Sequence, residues 1–60
     1  MTMFVYDCFT KEDQSKWKMI ENPQFIPTVG SRVLMGYAPA PRVKEVVYDC
    51  EHDYVAVECE

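Results

Sequence analysis

Apolar and polar residues alternate with a period of two over much of this chain, the pattern of half-buried β-strands. Phe4, Tyr6 and Cys8 alternate with Val5, Asp7 and Phe9, and Val33, Met35 and Tyr37 form a second row. Val55, Val57 and Cys59 oppose Tyr54, Ala56 and Glu58 in a third. Over residues 43–48 the alternation slips once, which predicts a bulge or a strongly bent strand. Residues 21–27 and 38–41 each hold two prolines and cannot continue a central ladder, so they read as loops or edges. The polar residues 49–53 have the length of a hairpin tip.

Residues 10–20 admit two readings. Thr10 followed by Asp13 resembles a capping box, and Glu12 with Lys16 has a favourable helical spacing. Lys16, Trp17, Lys18 and Met19 alternate instead, and the apolar residues form no helical stripe. The second reading is favoured: a polar turn over 11–15 leading into a strand. Five strands are expected, at 3–9, 16–20, 32–37, 42–48 and 54–59, within one domain spanning residues 1–60. This is an all-β chain, a small five-stranded and strongly bent antiparallel sheet or barrel, because curling a short sheet removes unprotected edges.

The stretch Ile26-Pro27-Thr28-Val29-Gly30-Ser31-Arg32-Val33 resembles the P-x-V-G-x-x-V lead-in to a strand of SH3-like barrels. The resemblance implies that Val29 anchors the loop, Gly30 makes the turn and Val33 is the first core residue. It covers eight residues and carries no function. The aromatic signature of a signalling SH3 peptide groove is absent, so a proline-rich ligand is not inferred. A second feature is internal: Val5-Tyr6-Asp7-Cys8 recurs as Val47-Tyr48-Asp49-Cys50. The flanks differ, so the repeat reads as two strands with similar demands, each ending in Asp near a turn.

Composition narrows the function. Sixty residues make one small domain, and an apolar fraction of 48% excludes intrinsic disorder. The first residues have neither a basic start nor an apolar run of signal-peptide length, and apolar runs such as Val46-Val47-Tyr48 fall far short of the ~20 residues a spanning helix needs, so a soluble, cytoplasmic protein without membrane contact is expected. Cys8, Cys50 and Cys59 are odd in number and read as reduced, small buried hydrophobes, with a Cys8–Cys50 pair across facing strands as the alternative. Cys50, His52 and Asp53 lack the paired spacing of a zinc site, and Cys50 with His52 lacks an orienting partner and a cleft. The expectation is no metal, no cofactor and no enzymatic activity.

Charge is the most informative feature. Residues 1–44 carry six basic and four acidic groups, net +2, whereas residues 45–60 carry six acidic groups and no Lys or Arg, net −6. The last hairpin is an acidic blade on a mildly basic body. Such a blade suits attraction of a basic partner surface or imitation of DNA phosphates, and its plainer uses are solubility and protection of a strand edge. The expected function is a protein-interaction module that acts on a host macromolecule through the hairpin 49–54. Asp49, Glu51 and Asp53 would supply charge, and Tyr37, Tyr48 and Tyr54 aromatic anchors. In size and composition the chain is similar to accessory proteins of bacteriophages and mobile elements, including host-defence inhibitors. Self-association is an equal use of such a surface, because a core of about 60 residues is marginal alone. The alternative is a nucleic-acid-binding barrel using Lys16, Trp17, Lys18, Arg32 and Lys44, where Trp17 lies between two cations.

Overall fold

The alternating rows become strands whose successive side chains part to opposite sides of one sheet. The computed structural model describes residues 1–36 and 38–60; Tyr37 lies outside them. The strands are β1 (Thr2–Asp7), β2 (Lys18–Glu21), β3 (Val43–Asp49) and β4 (Tyr54–Cys59), with a 3-10 turn at Gln14–Lys16. Their order across the sheet is β2-β1-β4-β3. β1 lies antiparallel to β2, β3 lies antiparallel to β4, and the central pair β1 and β4 is parallel.

Register sorts the side chains. Met3 pairs with Val55, Val5 with Val57, and Val46 with Val57 from the other side. Met3, Val5, Val43, Val55, Val57 and Cys59 are the buried core, and Ile26, Val33, Met35 and Val46 pack against it. The core therefore lies on one face only. Its lid is the segment 22–42, which leaves the β2 edge and must reach the β3 edge on the opposite side. All four prolines fall in this crossing. They are tolerated because the segment owes no ladder to the sheet; it touches β3 through the bonds Gly30 N–H to Val43 O (2.9 Å) and Val43 N–H to Ser31 O (2.7 Å). Gly30 turns there with φ +94°, a backbone that favours glycine. The shortest dimension of the fold is 17 Å, enough for the sheet and one covering layer.

Several expectations change. Among the described residues four strands form rather than five, the sheet is mixed rather than antiparallel, and it stays open, with β2 and β3 at its edges rather than closing as a barrel. Over 32–37 no strand forms among the described residues; a single bridge joins Arg32 to Arg42. Val33 and Met35 still turn inward while Leu34 is exposed, so the alternation there reports facing without a ladder. In the SH3-like stretch Gly30 makes its turn and Val33 packs on the core, but Val29 is 66% exposed and anchors nothing. Residues 10–20 hold a turn, the short 3-10 segment and a strand beginning at Lys18. The slip in 43–48 is a bulge between Val43 and Glu45, as expected.

The thiols also differ from expectation. Cys59 is buried, but Cys8 and Cys50 are exposed and all three are free. Cys8 follows the C-terminal end of β1, whereas Cys50 sits in the hairpin at the opposite end of the sheet. A six-residue strand, roughly 20 Å, separates those ends, far beyond disulfide reach.

Truncating Val57, which lies fully buried between Val5 and Val46, should cost about 2 kcal/mol as Val57→Ala. Val47→Ala, on the half-exposed opposite face, should cost less than about 0.5 kcal/mol. Urea unfolding midpoints check the contrast.

Candidate functional site

The face opposite the core is built by Phe4 and Tyr6 of β1, Met19 and Glu21 of β2, Tyr54, Ala56 and Glu58 of β4, and Glu45, Val47 and Asp49 of β3. One end of it is closed by the loop after β1. Asp7 Oδ1 accepts hydrogen bonds from the Phe9 and Thr10 backbone N–H groups, each at 2.9 Å, and so turns the chain back. Trp17 Nε1 then donates to the Thr10 carbonyl at 2.9 Å, and the indole stacks on Tyr6 with centroids 4.4 Å apart. Asp13 caps the 3-10 turn by accepting from the Ser15 N–H.

An ion-pair cluster pins the same loop. Glu58, buried beside Tyr6, meets Lys11 Nζ at 3.0 Å and Lys44 Nζ at 3.5 Å. The Lys11 hydrogen bond, foremost, and the charge of both lysines hold the Glu58 carboxyl below the usual carboxylate range despite its burial. The same hydrogen bond raises Lys11. Burial, then the Glu58 charge, pushes the Tyr6 phenol up. Lys11 and Lys44 are thus engaged internally.

The other end is open. Phe4 stands edge to face with Trp17 (6.0 Å, 65°) and with Tyr54 (5.7 Å, 79°). These three rings, with Tyr6, Gln14, Met19 and Ala56, line a trough of about 480 Å³. Beyond it lies the β3–β4 hairpin. Asp49 Oδ1 accepts from the Glu51 and His52 N–H groups at 3.0 and 3.1 Å, and its Oδ2 meets His52 Nδ1 at 3.0 Å. Those bonds, led by the His52 side chain, lower the Asp49 carboxyl. Asp53 holds a φ of +55°, which Asp tolerates, and its carboxylate lies 3.3 Å from the Met1 ammonium. Glu21 is held at this end by the Thr2 hydroxyl, which donates to its carboxylate at 3.1 Å.

The sequence-predicted residues separate into two groups. Asp49, Glu51, Asp53 and Tyr54 come together at the tip, with Tyr54 turned toward Phe4. Tyr48 is exposed on the other side of the sheet, in register with Val55, and Tyr37 lies outside the described residues. The nucleic-acid set is dispersed. Trp17 turns to the aromatic face rather than to the core, Lys44 is paired with Glu58, and Lys16 is exposed on the 3-10 turn. Lys18 is in register with Val5, on the core side, and Arg32 donates to the Ala40 carbonyl in the covering segment. No group of three or more His, Cys, Asp or Glu that could hold a metal occurs among the described residues. The Cys59 thiol is pushed up by burial and by the charges of Asp7 and Glu58, which disfavours a nucleophilic thiolate.

Phe4, Met19 and Glu21 join the site without having been expected there. One signal was available: both alternating sets of β1 are apolar, Met3 and Val5 as well as Phe4 and Tyr6, so one set had to face away from the core.

Because folding lowers the Glu58 carboxyl, its ion pairs stabilise fully above the ordinary carboxylate range and are lost as pH falls through the depressed value. Glu58→Gln should therefore be less stable than the parent at pH 7, and the gap should close toward pH 3. Urea melts across that interval measure it.

Comparison of the chain with protein-family models, with curated proteins and with solved structures gives no match.

Proposed function

We propose that this protein is a non-enzymatic interaction module that docks a basic protein surface with its acidic hairpin, residues 49–54. One observation carries the reading: Glu21, Asp49, Glu51 and Asp53 gather at one end of the sheet, where the Met1 ammonium lies on Asp53 and the His52 ring bonds Asp49. Asp49 is rigid there, tied to two backbone N–H groups, so the tip presents charge at little entropic cost on binding. Clustered charge of one sign steers a complementary partner and raises its association rate. The half-buried rings of Tyr54 and Phe4 beside it supply the kind of anchor that interfaces favour.

Small size and acidity support an accessory role of the phage or mobile-element kind, exerted in the cytoplasm on a host macromolecule. No helix of the described residues is long and apolar enough to cross a membrane. The nucleic-acid alternative has weaker support, because its five residues do not share a surface and Lys44 is engaged with Glu58.

The test keeps the hairpin folded. Asp49 is left in place, Glu51 becomes Lys, and Asp53 becomes Asn, a residue that also tolerates positive φ. Against a basic partner captured by affinity purification from the host, Glu51→Lys/Asp53→Asn should slow association on the order of tenfold at low salt, with circular dichroism unchanged. An unchanged on-rate would remove the hairpin from the reading. Binding of single- or double-stranded oligonucleotide that falls steeply with salt would favour the nucleic-acid alternative.

A further inference from the structure

We infer that the open end of the aromatic face is a seat for one cationic side chain, an arginine foremost, carried by a basic protein partner. The inference rests on the proposed docking of such a partner and adds where a single side chain of it would go. Three observations meet at the trough.

The first is ring geometry. Phe4 lies at 65° to Trp17 and 79° to Tyr54, so the three rings that line the trough stand at steep angles to one another. The stack on Tyr6 occupies one face of the indole, and Trp17 still lines the trough. Aromatic faces carry the negative part of the quadrupole and attract a cation within about 6 Å of the centroid. A planar guanidinium gains stacking as well, which an ammonium does not.

The second is the placement of carboxylates. Across the sheet the row runs Glu21, Thr2, Tyr54, Asp49, one residue per strand. At a strand spacing of about 4.8 Å the two acids stand roughly 14 Å apart and bracket the Phe4–Tyr54 end, each about 7 Å from its middle. A cation seated between them meets a favourable field from both sides. Both carboxylates are already oriented, Glu21 by the Thr2 hydroxyl and Asp49 by the hairpin N–H groups.

The third is the location of the protein's own cations. Lys11 and Lys44 both lie on Glu58, toward the other end of the face, and the Met1 ammonium, at this end, is already engaged by Asp53 and Asn22. A nucleobase would also stack on these rings, but its phosphates would come against Glu21 and Asp49. The charge layout selects a cation.

The chain's single tryptophan makes the test direct, since Trp17 lines the trough. The probes are N-acetyl-arginine amide, its neutral counterpart N-acetyl-citrulline amide, N-acetyl-lysine amide and a short oligothymidylate. Trp17 emission and the Phe4 and Tyr54 ring proton shifts are followed by titration. The arginine probe should saturate with a millimolar Kd, the lysine probe should bind more weakly, and citrulline at least about tenfold more weakly. Glu21→Gln and Tyr54→Leu should each weaken the arginine probe several-fold, and Glu51→Lys/Asp53→Asn should change it less than about twofold. Should Tyr54→Leu fail to fold, Glu21→Gln alone decides, since its side chain is exposed.

Equal binding of citrulline and arginine would overturn the inference, as would unshifted Phe4 and Tyr54 rings. A response to oligothymidylate without one to arginine would overturn it in favour of base stacking. If the arginine probe fails while the hairpin variant still slows a basic partner, the seat falls and the docking reading stands. If the probe binds while that variant changes no on-rate, the seat stands and the hairpin reading falls.

Discussion

Strands that run parallel cannot be joined by a tight turn, and here the parallel pair is the first strand with the last. Everything between β1 and β4 must therefore travel around the sheet before the two can meet. The chain uses one hairpin-like return to β2, then crosses from one edge to the other through residues 22–42, then returns through the β3–β4 hairpin. That crossing becomes the second layer of the fold. It shields Val5, Val55 and Val57 from water with no helix or strand among its described residues, through inward side chains such as Ile26, Val33 and Met35. A core of so few residues, covered on one side only, explains why the core-facing residues of β1 and β4 are buried while those of β2 are all exposed.

The one-sided core also creates the candidate site. With no layer over the second face, Phe4, Tyr6 and Tyr54 have only each other and the returning loop to pack against. The loop closes half of the face, because Asp7 turns it back and Glu58 draws Lys11 down onto the sheet. That ion-pair cluster absorbs two of the six basic residues at one end, while Glu21, Asp49, Glu51 and Asp53 gather at the other, with the Met1 ammonium on Asp53. The separation of charge seen along the sequence, basic body and acidic tail, is thereby redrawn in space. Glu58 belongs to the acidic tail but serves as an internal counter-ion, whereas Glu21 belongs to the basic body and joins the acidic end.

Facing was legible in the alternation, and pairing was not. Val33 and Met35 turn inward as their spacing implies, yet the segment makes no ladder, since a period of two describes which side is buried and is blind to what lies alongside. The prolines that mark residues 38–41 as unable to join a ladder were the better guide to that region. The repeated tetrapeptide makes the same point more sharply. Asp7 and Asp49 do one job, each accepting from the N–H groups two and three residues ahead to start a turn. The residues before them do opposite jobs: Val5 is in the core and Tyr6 on the aromatic face, whereas Val47 is on that face and Tyr48 is on the core side. Local sequence set the turn chemistry, and the tertiary register decided the rest. Trp17 escaped for a related reason, since its partner Tyr6 lies eleven positions back and nothing in the local pattern joins them.

No described residue of the crossing segment 22–42 lines the aromatic trough, which is shaped by residues of β1, β2 and β4 and the loop before β2. The sheet acts as a partition between two populations of side chains that hardly meet. Substitutions in the covering layer alter how firmly the domain holds together, and substitutions on the far face alter what it holds, with little coupling between them. Such a molecule is free to change its partner by evolving one surface while the other keeps the scaffold intact.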